Sequence, residues 1–264
     1  MRFRNLTIGQ HIPGNSVVHR LDPRTKILGT TLLIVLLFAV NGFIGYGLVA
    51  LAIAGVIHLA KLPWRYVIRG LRPLLVILLL TVGLNVFLTE GEVIFRLWFL
   101  TITREGLARG GMMGTRLVLL IVGTSLLTLT TSPIQLTDGI ESLLNPFRRL
   151  GVPAHELAMM MTIALRFIPT LLEETEKIMK AQMARGADFQ SGGLMQRAKS
   201  LIPLLVPLFV SAFRRADELA IAMEARGYRG GQGRTKFREL RFGRIDAVAI
   251  ALLVTFTVVV GVFF

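Results

Sequence analysis

The chain has 264 residues, 53% of them apolar, and a formal net charge of +14. This composition is more apolar than that of most soluble domains and is typical of a membrane protein with basic surfaces. The charge would also suit a nucleic-acid-binding protein, but the apolar residues gather in membrane-length runs, which excludes nucleic acid as a partner. The sequence contains no cysteine, so disulfides, thiolate metal sites and cysteine nucleophiles are excluded.

Five apolar stretches predict helices that cross a bilayer, which requires about 20 residues per helix. In chain order they are Ile27–Val40, Phe43–Ala60, Pro73–Leu88, Leu117–Thr131 and Ile245–Phe264. Asn41-Gly42 is a turn signal, so the first two stretches predict a hairpin with almost no loop. No strand pattern competes with these helices. The sequence therefore predicts an all-α, polytopic membrane protein with about five transmembrane helices.

The distribution of lysine and arginine predicts the orientation of the chain in the cell membrane. The first 26 residues carry five basic residues and one acid, and Lys61–Arg72 carries four basic residues and no acid. Glu90–Arg116 is close to neutral. We therefore expect the N-terminus to be cytoplasmic, and both Glu90–Arg116 and the C-terminus to lie outside.

Residues 132–244 are predicted to form a cytoplasmic domain between an N-terminal membrane region, 1–131, and a C-terminal transmembrane helix, 245–264. This domain has 17 Lys/Arg against 11 Asp/Glu. Its pattern predicts three helices, Ile134–Leu150, Pro153–Arg185 and Met195–Arg226, and Asn145-Pro146 disturbs the first near its end. The two long helices contain internal prolines, Pro169 in one and Pro203 and Pro207 in the other. Proline inside a helix bends it and frees a carbonyl group.

The sequence lacks the patterns that enzymes and self-contained transporters use. It has no glycine-rich phosphate loop ending in lysine, no histidines at metal-ligand spacing and no paired carboxylates. We therefore expect no catalytic residue, no metal site and no cofactor. The first three membrane stretches hold no charged residue, whereas intramembrane charges usually mark ion pathways. This absence weighs against a self-contained secondary transporter or channel, which stays the alternative from another functional class.

One short motif occurs at both predicted ends of the long cytoplasmic helices. Ala184-Arg185-Gly186 and Ala225-Arg226-Gly227 lie 41 residues apart. The local interpretation is that glycine terminates each helix and the cation complements the helix dipole. The repetition favours a second interpretation, in which two thin helix ends present an arginine to two similar grooves. Arginine offers a forked donor for a carboxylate there.

The chain resembles the transmembrane T component of energy-coupling factor transporters, a branch of the ABC importers. The resemblance covers nearly all 264 residues. The segments that carry it are His19–Lys26, Thr103–Leu107, Thr130–Pro133, Leu165–Pro169 and the two Ala-Arg-Gly ends.

The resemblance implies a non-catalytic scaffold in which the two long helices are coupling helices. Two ATPase subunits would dock on the helix ends, and a small membrane-embedded S component would bind the substrate, a vitamin or another micronutrient. ATP binding would bring the ends together and tilt the S component. The residues implied for ATPase docking are Ala184, Arg185, Gly186, Ala225, Arg226 and Gly227. Those implied for the helix bends and the S-component interface are Arg166, Pro169, Pro203 and Pro207. A dedicated cobalt or nickel importer is the alternative within the same family.

Overall fold

A computed structural model describes residues 11–97, 100–187, 189, 193–230 and 240–263. The helices are α1 (Val17–Arg20), α2 (Pro23–Ala39), α3 (Phe43–Ala60), α4 (Trp64–Leu71), α5 (Leu75–Leu88), α6 (Arg104–Thr130), α7 (Pro133–Leu144), α8 (Ala154–Ala184), α9 (Leu194–Ala225) and α10 (Arg244–Phe263). Short 3-10 helices occupy Arg72–Leu74 and Asn145–Leu150. Two strands, β1 (Val93–Leu97) and β2 (Leu100–Thr103), pair antiparallel. The all-α, polytopic architecture expected from the sequence is confirmed.

Five helices in the described residues are long and apolar enough to cross a membrane, which agrees with the predicted number. They are α3, the continuous segment Trp64–Leu88, α6, α8 and α10. This set includes α8, which the sequence placed in the cytoplasm, and omits α2. With 17 residues, α2 is about 25 Å long, which is shorter than a typical hydrocarbon core of about 30 Å. The predicted end of the last span, Phe264, lies outside the described residues.

The hairpin formed by β1 and β2 corrects the expectation that no strand would compete with the helices. Val93 pairs with Thr103, and Leu97 pairs with Leu100. The two strands are rich in β-branched and long apolar residues, which favour extended backbone. The segment is too short to span a bilayer, so the membrane-length criterion did not reveal it.

Helix α6 begins 13 residues before the predicted span at Leu117. The Thr103 hydroxyl caps its first turn by accepting a hydrogen bond from the Gly106 amide at 3.0 Å. Charged Arg104, Glu105 and Arg109 lower the hydropathy of this first half, so the apolar pattern indicated only the second half of α6. The predicted outer loop Glu90–Arg116 is therefore a hairpin followed by half of a helix.

The chain divides into two compact units, with boundaries between Ile140 and Glu141 and before Leu240. One unit consists of two segments, the described residues before Glu141 and those after Glu239. Its core lies where α2, α3, α6 and α10 meet. On α3 the buried side chains Tyr46, Val49, Ile53 and Ile57 recur every three or four residues and form one face. The opposite side of α3 leaves leucine and isoleucine exposed, as suits a helix facing lipid.

A row of glycines allows α6 to approach α5 closely. A Cβ atom at Gly110 would lie 2.8 Å from Val86 Cγ2, and one at Gly114 would lie 2.8 Å from Val82 Cγ2. Both distances are shorter than normal contacts, so a larger residue at either position would force the facing valine or the helices to shift. The spacing of four residues places both glycines on one helix face, in the small-residue pattern that membrane helices use for packing.

In the other unit α8 and α9 pack against each other. Their bounds differ from the predicted long helices by one residue at each end. The disturbance expected at Asn145-Pro146 is also present, because α7 stops at Leu144 and a 3-10 helix follows. The boundaries 131/132 and 244/245 of the predicted domains remain predictions.

Candidate functional site: the ends of the two long helices

Helix α8 ends in two nested backbone hydrogen bonds. The Gly186 amide donates to the Met183 carbonyl, and the Ala187 amide donates to the Gln182 carbonyl, each at 3.0 Å. Gly186 has a φ of 87°, a left-handed conformation that glycine adopts without a steric cost. This is a Schellman motif, with Arg185 as the last residue before the reversal.

Helix α9 ends in the same way 41 residues later. The Gly227 amide donates to the Glu224 carbonyl at 2.8 Å, and the Tyr228 amide donates to the Met223 carbonyl at 3.0 Å. The backbone angles of Arg185 and Arg226 agree closely, with φ of −89° and −88° and ψ of 8° and 9°. The two ends are therefore copies of one local structure.

The six residues of these two ends are all exposed. Apart from each glycine and its two neighbours in the chain, no heavy atom of the described residues lies within 4 Å of the position that a Cβ atom on Gly186 or Gly227 would occupy. Within the described part of the chain, neither Arg185 nor Arg226 forms an ion pair or a side-chain hydrogen bond. Helix termination thus accounts for the two glycines, whereas both guanidinium groups remain available to another molecule.

An ion pair joins the two helices away from these ends. Arg215 Nη2 lies 3.3 Å from Glu174 Oε2. The same shift of 41 residues that superposes the two Ala-Arg-Gly motifs aligns Glu173-Glu174 with Arg214-Arg215. Equivalent positions in the two helices therefore carry opposite charges. Glu174 forms its ion pair with Arg215, the residue at the equivalent position of α9.

The other predicted site residues lie along α8 and α9. Arg166, Pro169 and Pro203 are exposed, and Pro207 is partly buried. Proline has no amide hydrogen, so Pro203 and Pro207 leave the carbonyls of Lys199 and Pro203 without their helical donors. Large apolar side chains are exposed on this part of α9: Leu201, Ile202, Leu205, Val206, Phe209, Val210 and Phe213.

Comparison with known proteins gives consistent results over nearly the full length. Residues 14–237 match the family model described as "CbiQ: Cobalt transport protein". A protein of Thermosediminibacter oceani named "Energy-coupling factor transporter transmembrane protein EcfT" is 65% identical over 94% of this chain and 93% of its own length. Proteins of the same name from Bacillus subtilis and Listeria innocua are each 52% identical, covering 95% and 99% of this chain and 95% and 98% of their own.

The chain belongs to the CbiQ/EcfT family. It is a transmembrane component of energy-coupling factor transporters and a multi-pass membrane protein. The family membership that the resemblance indicated is confirmed.

In this EcfT-family chain the segment His19–Lys26, which helped to reveal the resemblance, is a structural joint. Asp22 caps α2 by accepting from the Arg24 amide at 2.9 Å. The buried Asp246 carboxylate, at the start of α10, accepts hydrogen bonds from the Asp22 amide at 2.8 Å and the Thr25 hydroxyl at 3.2 Å. The Gly243 amide donates to its second oxygen at 2.9 Å. Asp246 thereby joins the N-terminal ends of α2 and α10.

Lys26 extends this joint to α6. Its Nζ donates to the Thr130 carbonyl at 3.0 Å and to the His19 carbonyl at 3.2 Å. Burial lowers the pKa of Lys26 to about 8, and the neighbouring carboxylates of Asp246 and Asp22 oppose this shift. The sequence placed Lys26 and Asp246 at the edges of membrane stretches but gave no sign that they share one polar cluster.

A second polar contact that the sequence did not reveal involves Arg116 on α6. Its guanidinium donates to the Tyr46 hydroxyl at 2.8 Å and to the Val40 carbonyl at 3.3 Å. The Tyr46 hydroxyl also donates to the Val40 carbonyl, at 2.9 Å. Because Val40 is the C-cap residue of α2, a cation there satisfies an orphan carbonyl and complements the helix dipole. In this family member Arg116 thus fastens the α2–α3 hairpin to α6.

Proposed function

We propose that this EcfT-family chain is the coupling scaffold of an importer, linking two ATPase subunits to a membrane-embedded S component that carries a vitamin or another micronutrient. The observation that carries the proposal is the pair of matching helix ends, each with an exposed arginine that has no partner in the described residues. Two equal ends suit two equal partners, as expected for a pair of ATPase subunits.

Each helix end has the size and charge to bind in an acidic groove. The alanine and glycine on either side of the arginine leave the end thin, so a groove can close around it. A guanidinium binds a carboxylate through two parallel hydrogen bonds, which fixes orientation as well as affinity. We therefore expect Arg185 and Arg226 each to meet an aspartate or glutamate of one ATPase subunit.

The two long helices can carry motion from the ATPase subunits to the S component. With 31 and 32 residues, α8 and α9 are about 46–48 Å long at 1.5 Å per residue. Their packing and the Glu174–Arg215 ion pair hold them together, so a displacement of the arginine-bearing ends is transmitted along both. No ATP hydrolysis is assigned to this chain, whose proposed role is mechanical.

The apolar part of α9 that contains the two prolines is the surface proposed for the S component. Exposed Phe209 and Phe213 follow Pro203 and Pro207 along one helix. Exposed aromatic residues of this size mark a surface that contacts lipid or another membrane protein. On α8 the corresponding candidates are Arg166 and Pro169.

The experiment is co-purification of the ATPase pair with tagged chain, combined with vitamin uptake in cells. Losing one partner of a buried Arg–carboxylate contact typically costs about 2–5 kcal/mol. Arg185→Ala or Arg226→Ala should weaken the complex and uptake, and the double variant should abolish both. The matched control is Lys177→Ala/Arg214→Ala, which removes two exposed positive charges from the same helices and should leave both readouts unchanged.

Three outcomes bear on the alternatives. If the Arg185→Ala/Arg226→Ala variant retains the ATPases at normal stoichiometry and still transports, the two helix ends serve only to terminate their helices. Substrate flux through the purified chain alone would favour a self-contained secondary transporter. Co-purification of a subunit that binds cobalt or nickel would favour the dedicated metal importer, the alternative suggested by the description of the matching family model.

A further inference from the structure

An open cavity lies beside the 3-10 helix Asn145–Leu150. Its volume is about 700 Å³, and it is lined by Ser142, Asn145, Pro146, Arg148 and Arg149. Four of these five side chains offer hydrogen-bond donors: a hydroxyl, an amide and two guanidinium groups. The lining therefore has the chemistry of an anion site and contains no carboxylate.

The positive charge of this cavity is not neutralised within the described part of the chain. Arg148 and Arg149 are exposed there and form no ion pair or side-chain hydrogen bond. The nearby acid Glu141 is engaged by His155, with 3.1 Å between Glu141 Oε1 and His155 Nδ1. Two adjacent guanidinium groups thus line the cavity, and neither forms an ion pair with a described residue.

The backbone holds this segment in a defined turn. The Gly151 amide donates to the Arg148 carbonyl at 3.1 Å, and the Val152 amide donates to the Phe147 carbonyl at 3.4 Å. Gly151 has a φ of 86°, which reverses the chain immediately after the arginines. These hydrogen bonds therefore fix the backbone that carries the two arginines.

Large apolar side chains flank the two arginines in the same turn. Phe147 is 50% exposed and Leu150 is 80% exposed. A phosphate in solution would gain nothing from these two side chains. Apolar residues beside arginines are instead typical of segments at the bilayer interface, where the apolar groups enter the acyl boundary and the cations meet lipid phosphates.

We propose that this cavity binds the phosphate of an anionic phospholipid headgroup, with Phe147 and Leu150 inserted at the level of the acyl chains. Arg148 and Arg149 supply forked donors to the phosphate oxygens, and Ser142 and Asn145 supply the remaining hydrogen bonds. Through this lipid the start of the unit that contains α8 and α9 is attached to the membrane surface.

The test measures binding of phosphatidylglycerol to the detergent-purified full chain by native mass spectrometry, with phosphatidylcholine as the neutral comparison. Each basic residue near a membrane contributes about 1 kcal/mol of attraction to anionic lipid, so Arg148→Gln/Arg149→Gln should weaken the tightest phosphatidylglycerol site at least about tenfold. Arg148→Lys/Arg149→Lys keeps the positive charge and should weaken phosphatidylglycerol binding less. The control Arg214→Gln/Arg229→Gln removes two exposed arginines elsewhere and should leave that site unchanged.

A second variant separates the lipid from other anions. Phe147→Ser/Leu150→Ser should weaken binding of phosphatidylglycerol but not of glycerol phosphate. Competition by inorganic phosphate that equals competition by phosphatidylglycerol would overturn the lipid assignment. Equal binding of phosphatidylcholine would overturn the charge argument. Loss of ATPase co-purification in the Arg148→Gln/Arg149→Gln variant with phosphatidylglycerol binding intact would assign the cavity to an acidic protein partner instead.

Discussion

Glu174 and Arg215, the two partners of the ion pair between α8 and α9, each lie eleven residues before the arginine that ends their helix. Eleven residues of helix extend about 16 Å. The two arginine-bearing ends therefore project by equal lengths beyond a common cross-link. This equality suits the proposed scaffold role, in which two similar partners would act on the two ends.

Reversal of this ion pair gives the first prediction. Glu174→Arg places two cations together and should lower the stability of the α8–α9 pair by about 1 kcal/mol, because the pair is partly exposed. The same variant should uncouple ATP hydrolysis from uptake. Glu174→Arg/Arg215→Glu restores the attraction and should recover both. A reversed pair that is no better than Glu174→Arg alone, in thermal unfolding and in uptake per ATP, would contradict a coupling role.

The terminating glycines give the second prediction. Alanine at a left-handed position costs about 1–2 kcal/mol, so Gly186→Ala/Gly227→Ala should distort both ends while leaving both arginines in place. We expect weaker retention of the ATPases and slower uptake. Gly193→Ala is the control, because Gly193 has a φ of −70° and open space around it. Unchanged ATPase retention in the double variant would show that the exact shape of the ends is unimportant.

The buried Lys26 gives the third prediction, which concerns stability. Lys26→Met removes the donor from the Thr130 and His19 carbonyls, and an unsatisfied buried carbonyl costs about 1–3 kcal/mol. Thermal unfolding of the purified chain should therefore occur at a lower temperature. Lys180→Met, at an exposed position, should have little effect.

The pKa of Lys26 adds a pH dependence to this comparison. The folded pKa is about 8, below the ordinary value of 10.5. Between these values the unfolded chain binds more protons at this site than the folded chain does, so the stability contributed by Lys26 rises with pH. The difference in stability between the native chain and Lys26→Met should widen from pH 8 to pH 10. A difference that stays constant or narrows would be inconsistent with the lowered pKa.

The orientation in the membrane gives the fourth prediction. In this cysteine-free chain, Glu92→Cys should react with an impermeant thiol reagent added outside the cell, and Gly193→Cys should react only after the membrane is opened. Both positions are exposed, so access to the reagent depends on the side of the membrane. Labelling of Gly193→Cys from outside would refute the predicted topology and would support α8 as a transmembrane helix.

The prolines of α9 give the fifth prediction. Pro203→Ala/Pro207→Ala restores two backbone donors and should straighten the helix. We expect weaker retention of the S component and slower uptake, with the ATPases still bound. Pro133→Ala is the control, because Pro133 begins α7, where its missing donor is not needed. Uptake equal to that of the native chain would show that the bends serve α9 alone.

The sequence by itself determined the helical class and the bounds of α8 and α9, because these follow from local apolar runs and local stop signals. It also predicted five membrane-length helices, as found, but it counted α2 and not α8 among them. It also located the two helix ends, since a glycine after an arginine terminates a helix through bonds within one turn. Hydropathy did not indicate the first half of α6, because that half is charged, or the β1–β2 hairpin, because its strands are short. Both errors arose because hydropathy over a long window measures lipid compatibility rather than backbone structure.

Only the tertiary structure decided which distant residues act together. Asp246 bonds to Asp22 and Thr25 more than 200 positions earlier in the chain, and Arg215 meets Glu174 across two helices. The sequence shows the charge of each of these residues but not its neighbour, because the pairing depends on how helices fold back on one another. The availability of Arg185 and Arg226 was also decided at this level, because among the described residues the fold brings no acid within ion-pair distance of either guanidinium group.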